Sequence, residues 1–146
     1  YIYHTDQGGN YPPGKNAKGW EERHGYIRGW VKTDQNGFYR FFTLRPASYP
    51  NSRAPQHIHV TVKEPDKNEY WIDEYVFEDD PFLTKKEKDA VRGRGGNGIL
   101  KLVPGNGLST ATRNIILGLN IPDYPRAGLP FMGSGLAALV IRLSTI

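Results

Sequence analysis

Apolar and polar residues alternate one by one from His57 to Lys63, and this pattern constrains the fold more than any other feature of the chain. Successive side chains of a β-strand point to opposite faces of its sheet. Three apolar residues would therefore share one face and three polar residues the other: Ile58, Val60 and Val62 against His57, His59 and Thr61. The sequence predicts a strand here, with two imidazoles projecting side by side.

Turn-forming residues separate this segment from others of similar length. Gly 17 and Pro 11 together make about one fifth of the 146 residues, which favours turns over long helices. Asp34-Gln35-Asn36-Gly37 is typical of a tight turn, because Asn-Gly accepts positive φ. We expect this turn to close a hairpin between strands at Gly25–Thr33 and Phe38–Leu44.

The rest of the chain predicts further strands and one helix. The expected strands are Glu69–Phe77, Ile99–Val103 and Asn114–Leu119, and the helix lies within Asp79–Val91 with Thr84 as its N-cap. Strands at this spacing favour an all-β fold, a β-sandwich of prealbumin-like type with short helical and loop segments after the core strands. The tail, residues 125–146, has several glycines followed by an apolar run; a short helix and a strand are both open, and it is left unplaced.

Composition excludes several classes of function. Cys is 0, which excludes disulfides, thiolate metal sites and a cysteine nucleophile. No apolar run approaches the roughly 18 residues of a membrane span, so none is expected. The net charge of +4 suits a small anionic ligand, and the basic run at 85–94 lacks interleaved aromatic residues, so no nucleic-acid partner is expected. Whether identical chains form a homo-oligomer is left open.

Two histidines and two tyrosines are the candidate metal ligands. His57 and His59 on one strand face suit a two-nitrogen clamp, although such a pair also occurs as ordinary surface residues. Tyr49 lies eight residues before His57 in a proline-rich loop, and Tyr11 lies between glycines and prolines. A tyrosine ligand must lose a proton with a reference pKa of about 10, which requires a hard, highly charged ion such as Fe(III). Each tyrosine alone would also suit an ordinary aromatic anchor.

Four motifs, in this order, resemble the intradiol ring-cleavage dioxygenases, the family of the protocatechuate and catechol dioxygenases. They are Ile2-Tyr3-His4-Thr5-Asp6-Gln7-Gly8-Gly9-Asn10-Tyr11, Thr33-Asp34-Gln35-Asn36-Gly37-Phe38-Tyr39-Arg40-Phe41-Phe42-Thr43-Leu44-Arg45-Pro46, Tyr49-Pro50 and Gln56-His57-Ile58-His59-Val60. The similarity covers about residues 1–81 and continues more weakly to Tyr124. The order and spacing carry it, since no single motif is specific.

The resemblance implies a single catalytic domain over residues 1–146 that uses non-haem Fe(III). The metal ligands would be Tyr11, Tyr49, His57 and His59, with water or hydroxide completing the shell. The substrates would be a catecholic small molecule and dioxygen, and the product a muconate-type diacid. By the same resemblance, the catechol would displace one tyrosinate, and Tyr11 would accept a substrate proton.

Three departures from the family qualify this expectation. Relatives carry arginine three residues before the first histidine, where this chain has Ala54; we expect Arg53, one residue earlier, to take its catalytic place. Glu74 stands where some relatives have glutamine, so it is either an acid behind the ligands or a solvated strand residue. The family's leading strands, before the first tyrosine, are expected to be missing from this sequence, which opens on Tyr1-Ile2-Tyr3-His4 as though within a strand.

Two other readings compete with an active dioxygenase. A non-catalytic prealbumin-like binding module, or an inactive relative of the dioxygenases, would also use the turn and aromatic strand at 34–44, but would not need all four ligand candidates. A cupin-type site would use Glu64, four residues beyond His57-Ile58-His59. Glu64 is at an odd offset from His59, so a regular strand would send it to the opposite face.

Overall fold

Strands dominate the computed structural model, which describes residues 1–122 and the backbone of residues 136–144. The described strands are β1 Ile2–Tyr3, β2 Arg28–Gly29, β3 Tyr39–Leu44, β4 His57–Val62, β5 Tyr70–Trp71, β6 Tyr75–Phe77, β7 Ile99–Leu100, β8 Val103–Pro104, β9 Leu108–Ile116 and β10 Leu136–Ser144. Two short helices accompany them, α1 Trp20–His24 and α2 Lys85–Asp89. The fold is therefore β-rich, as the sequence predicted.

One sheet places β4 between other strands. Its order is β2-β1-β4-β6-β7, with β5 also pairing β4. The strands β1 and β6 run antiparallel to β4 and place Tyr3 opposite His59 and Val76 opposite His57. Ile58 is fully buried, whereas the two histidines are half-buried. The predicted strand and its division into two faces are confirmed.

A second sheet has the order β3-β10-β9-β8. In it, β3 runs parallel to β10, and β9 runs antiparallel to both β10 and β8. The strand β10 falls within the tail that the sequence left unplaced, and it pairs along its whole length with β9. The other tail residues, 125–135 and 145–146, lie outside the described residues.

Residues from both sheets contribute to one hydrophobic core. Its buried members are Tyr39, Phe41, Ile58, Val60, Ile72, Tyr75, Phe77, Leu100, Ala111 and Ile115. Inside it, the Tyr39 and Tyr75 hydroxyls lie 2.7 Å apart, and the Arg113 guanidinium lies 4.6 Å from the centre of the Tyr75 ring. Arg113 also donates to the Asp73 carbonyl at 2.6 Å. The arginine of β9 thus ties the second sheet to the loop that precedes β6.

The predicted hairpin is wrong, although its turn forms. Gly37 has φ of 79°, and the Asp34 carboxylate accepts the backbone N–H groups of Asn36 and Phe38, both at 2.9 Å. The strand before the turn is only β2, which pairs with β1, whereas β3 joins the other sheet. The segment between β2 and the turn has no buried face, since Trp30 there is 68% exposed. The turn therefore carries the chain from one sheet to the other.

Two more predicted elements are shorter than expected. The strand predicted at Glu69–Phe77 is broken into β5 and β6, because the Asp73 backbone N–H donates to the Arg94 carbonyl at 3.0 Å instead of a neighbouring strand. The helix predicted within Asp79–Val91 is reduced to α2, with Thr84 as the predicted N-cap. The helix α1, before most of the strands, was not predicted. Within the described residues, neither helix has the length and apolar character needed to cross a membrane.

Candidate metal centre

The four predicted ligand side chains bring their polar atoms together. The Tyr49 hydroxyl oxygen lies at the centre, 2.7 Å from Tyr11 Oη, 2.9 Å from His57 Nε2 and 3.1 Å from His59 Nε2. Tyr11 Oη is also 3.0 Å from His59 Nε2. Residues up to 48 positions apart in the chain thus converge on one point. We call these four residues the ligand cluster.

Backbone contacts hold the loop of Tyr49 against the segment that leads to the other tyrosine. The Ala47 N–H donates to the Asp6 carbonyl at 3.0 Å. Gly9 has φ of +78°, and a Cβ there would lie 2.2 Å from the Ser48 carbonyl oxygen. Only glycine fits this approach, because any side chain would clash with backbone and strain the left-handed conformation. The two tyrosines are therefore positioned by tight packing of two loops.

The two histidines direct Nε2 towards the tyrosines because Nδ1 is bound elsewhere. His57 Nδ1 donates to the Pro55 carbonyl at 2.6 Å, and a carbonyl can only accept. Burial lowers the pKa of His57, which keeps its ring neutral, so Nε2 carries a lone pair. His59 Nδ1 lies 2.8 Å from Glu74 Oε1. Metal-bound histidines characteristically make such bonds through their second nitrogen.

Glu74 is ionised in this arrangement. Burial acts to raise its pKa, but the hydrogen bond from His59, together with nearby positive charge including Arg94, outweighs burial and brings the pKa of Glu74 below its usual value. A carboxylate accepts, so His59 Nδ1 is the donor, and a neutral His59 ring then presents a lone pair at Nε2. Glu74 thus contacts the second nitrogen of a ligand candidate and lies in a loop between β5 and β6. Of the two alternatives that the sequence left open, an acid behind the ligands and a solvated strand residue, the observed position matches the first.

With both imidazoles neutral, the ligand cluster has too few protons for its contacts. Four close contacts join its polar atoms, and in that state the two Nε2 atoms supply only lone pairs. The two hydroxyl groups hold one proton each, so only two of the four contacts can be hydrogen bonds at the same time. A cation attracts all four donor atoms at once. Ligand atoms about 2 Å from one ion lie about 3 Å from one another, as these do.

The two phenols bear on the kind of cation that the ligand cluster could hold. Burial, followed by the hydrogen bond with Tyr49, raises the pKa of Tyr11, and burial raises the pKa of Tyr49. Neither would ionise near neutral pH without a strong positive charge beside it. Hard oxygen ligands of this kind suit a hard, highly charged ion, and the cluster contains no soft donor. The residues present therefore fit Fe(III).

Another set of possible ligands overlaps this cluster. Atoms of His57, His59 and Glu74 lie within 4.8 Å of one another, and two histidines with one carboxylate can hold a metal. These atoms are farther apart than the donors of the ligand cluster, and moving Glu74 to an ion would remove it from His59 Nδ1. The arrangement with two tyrosines uses the observed hydrogen bonds without rearrangement.

A cavity of about 590 Å³ opens beside the ligand cluster. His57, Glu74, Arg53 and Ala54 contribute to its wall. Arg53 is exposed, and within residues 1–122 its side chain makes no hydrogen bond to any member of the ligand cluster. The structure thus brings Arg53 to the same cavity as His57 but not into contact with the four ligand candidates.

Sequence reasoning did not identify the aromatic residues that enclose His59. The Tyr3 ring stacks on His59 with 4.4 Å between ring centres, and on its other side it stacks on His24 at 3.7 Å. The alternation of Tyr1 to His4 could have suggested Tyr3, but no spacing in the sequence points to His24. The cupin alternative gains no support, because Glu64 accepts hydrogen bonds from Lys67 and Tyr70.

Comparisons of the chain with family models, with curated proteins and with solved structures found no match. The geometry of the ligand cluster and of the cavity beside it therefore carries the functional assignment.

Proposed function

We propose that this protein is a non-haem Fe(III) enzyme that cleaves a catecholic ring with dioxygen by the intradiol route and releases a muconate-type diacid. The ligand cluster is the observation that carries this proposal. Its four donor atoms lie within 3.1 Å of a neighbour, and with neutral imidazoles they have only two protons for four contacts. The order of the motifs around these residues adds the resemblance to the intradiol dioxygenases.

The proposal includes the finer architecture. Both sheets contribute side chains to one core, and this supports a β-sandwich of the prealbumin-like kind. In that arrangement the apolar face of β4 packs towards the other sheet, and its two histidines face away from the core. The core then fixes the strand on which both imidazoles depend.

Fe(III) held by Tyr11, Tyr49, His57 and His59 would be chelated by both oxygens of a catecholate, and its charge would withdraw electron density from the ring and make a ring carbon reactive towards dioxygen. The protein's own groups prepare the site. Pro55 and Glu74 orient the two imidazoles through Nδ1. Tyr11 is the proposed proton acceptor: its raised pKa makes a released phenolate a strong base at Oη, where it takes a proton from a substrate hydroxyl.

The cavity provides room for the substrate. At about 590 Å³ it falls within the range of roughly 300–1,000 Å³ typical of small-molecule sites, and His57 forms part of its wall. In this proposal the catechol ring enters from the cavity and Arg53 supplies the positive charge that faces the reacting ring. The position of Arg53 in the wall supports this role.

A non-catalytic binding module is the second candidate. The observation that favours it is the alanine at position 54, together with the exposed side chain of Arg53. In the form of an inactive relative of the dioxygenases, this binding module would keep the ligand cluster and bind iron and a catechol without consuming dioxygen. That form differs from the enzyme in turnover and not in metal binding.

Oxygen uptake by the iron-loaded protein separates them. Catechol, protocatechuate and hydroxyquinol are supplied in turn, and an oxygen electrode records consumption while mass spectrometry records the ring-opened acid. We expect one dioxygen consumed per diacid formed with at least one substrate. Tyr49→Phe should abolish most of this activity, whereas Tyr26→Phe, on an exposed ring outside the ligand cluster, should leave it unchanged. A coloured protein that binds catechol but consumes no dioxygen would support the binding module instead.

A further inference from the structure

The loop that carries Tyr49 is closed at its base by two side chains. Arg45 directly follows β3, and Gln56 directly precedes β4. Arg45 Nε donates to Gln56 Oε1 at 2.6 Å, so one hydrogen bond joins the two ends of the loop. Tyr49 lies four residues after Arg45, and His57 is the next residue after Gln56. The contact therefore closes a loop that contains Tyr49 and ends directly before His57.

The rest of the Arg45 guanidinium is fixed to the end of β6. Its two terminal nitrogens donate to the two Asp79 carboxylate oxygens, each at 2.8 Å, which is a bidentate ion pair. The guanidinium carbon also lies 4.6 Å from the centre of the Phe77 ring, which is fully buried. The hydrogen bond from Arg45 lowers the pKa of Asp79, which keeps that carboxylate charged. Arg45 is thus held on three sides.

The other end of the loop is attached to the same turn. The Gln56 backbone N–H donates to Asp80 Oδ2 at 2.8 Å, and Asp80 is buried. Its other oxygen accepts the Phe82 N–H at 2.7 Å. Both ends of the loop are therefore hydrogen-bonded to the same turn after β6. That turn contains none of the four residues of the ligand cluster.

We propose that Arg45 is a positioning residue that sets the separation of Tyr49 from His57 by fixing both ends of their loop to the turn after β6. The proposal rests on the assigned iron site for its catalytic meaning, but the geometry it describes exists without metal. Arginine is needed because its planar guanidinium pairs with both Asp79 oxygens while its Nε reaches Gln56, and the single nitrogen of a lysine cannot span both partners in this way. The side-chain hydrogen bonds of Arg45 within residues 1–122 go to Gln56 and Asp79 and not to the ligand cluster, so the proposed effect is transmitted through the loop.

The test compares Arg45→Lys with Arg40→Lys. Both changes keep the charge, but Arg40 lies on the exposed side of β3, where it packs against Phe42. In iron-free protein, side-chain NMR of His57 reports the contact between its Nε2 and Tyr49. We expect Arg45→Lys to shift the NMR resonance of His57 Nε2 towards that of a free imidazole. Arg40→Lys should leave that resonance unchanged. In iron-loaded protein, Arg45→Lys should shift the tyrosinate band and raise the rate of iron loss to EDTA about tenfold.

Each outcome bears on the proposal. If the His57 resonance is the same in Arg45→Lys as in Arg40→Lys, Arg45 does not position the ligands. The same conclusion follows if the iron-loaded protein is coloured but Arg45→Lys changes neither its tyrosinate band nor its rate of iron loss. If wild-type protein with Fe(III) stays colourless while the His57 resonance still moves in Arg45→Lys, the iron assignment fails and the positioning of Tyr49 against His57 stands. Should Arg45→Lys not fold, Asp79→Asn serves in its place, since it weakens the same pair from outside the loop.

Discussion

Glu74→Gln is the sharpest test of how the protein prepares His59. The amide oxygen of glutamine can still accept from His59 Nδ1, so the change removes the negative charge and keeps the hydrogen bond. A hydrogen bond to a charged group contributes about 1.5–3 kcal/mol and a neutral one about 0.5–1.5 kcal/mol. The difference of about 1 kcal/mol is reduced by solvent, because the Glu74 side chain is 46% exposed. A loss of about twofold to fivefold in iron affinity follows, which lies below the range usual for partners of metal ligands.

The assay is competition for Fe(III) between the protein and EDTA, followed by the visible absorbance of the protein. Glu78→Gln is the matched control, since it removes the same charge from an exposed residue four positions away that lies outside the ligand cluster. We expect Glu74→Gln to bind iron about twofold to fivefold more weakly than Glu78→Gln. Equal affinities for the two variants would show that the Glu74 carboxylate does not act through His59.

Three further changes test separate parts of the structure. Tyr49→Phe should weaken or shift the visible band of the iron-loaded protein. In calorimetry of the iron-free protein, the same change should lower the free energy of unfolding by only about 1 kcal/mol. Gly9→Ala should cost more than about 2 kcal/mol in chemical denaturation, because its Cβ would lie 2.2 Å from the Ser48 carbonyl; Gly8→Ala, with no backbone atom that close, should cost less. Burial lowers the pKa of His4, so the unfolded chain binds more protons below about pH 6.5. The free energy of unfolding of the iron-free protein should therefore fall by up to about 1.4 kcal/mol per pH unit as the pH falls below that value. A smaller pH dependence in His4→Gln would identify His4 as the group that takes up the proton.

The strand that carries His57 and His59 was predictable because its signal is local. A period of two places His57 and His59 on one face and Ile58 on the other, and burial of that apolar face then fixes the register. Turn chemistry was equally local, and the Asn36-Gly37 turn forms as expected. It determines only where the chain reverses. It does not determine that the flanking segments pair with each other, and here they join different sheets.

The contacts that organise the candidate site were not predictable from spacing, because they join distant parts of the chain. Arg45 and Asp79 are 34 positions apart, and nothing near either residue identifies its partner. Glu74 meets His59 because the predicted strand breaks before β6. Its break depends on the contact of Asp73 with Arg94, 21 residues away. The four ligand candidates could be predicted from the sequence. The long-range contacts that hold them in place could not.

The visible spectrum of the protein after loading with Fe(III) tests the central claim most directly. Tyrosinate bound to Fe(III) gives a broad charge-transfer band, so the iron-loaded protein should be red-brown, with one iron per chain. Tyr11→Phe and Tyr49→Phe should each weaken or shift that band, and Tyr26→Phe should not. A protein that stays colourless and iron-free after loading would contradict the assignment of Tyr11, Tyr49, His57 and His59 as an iron site.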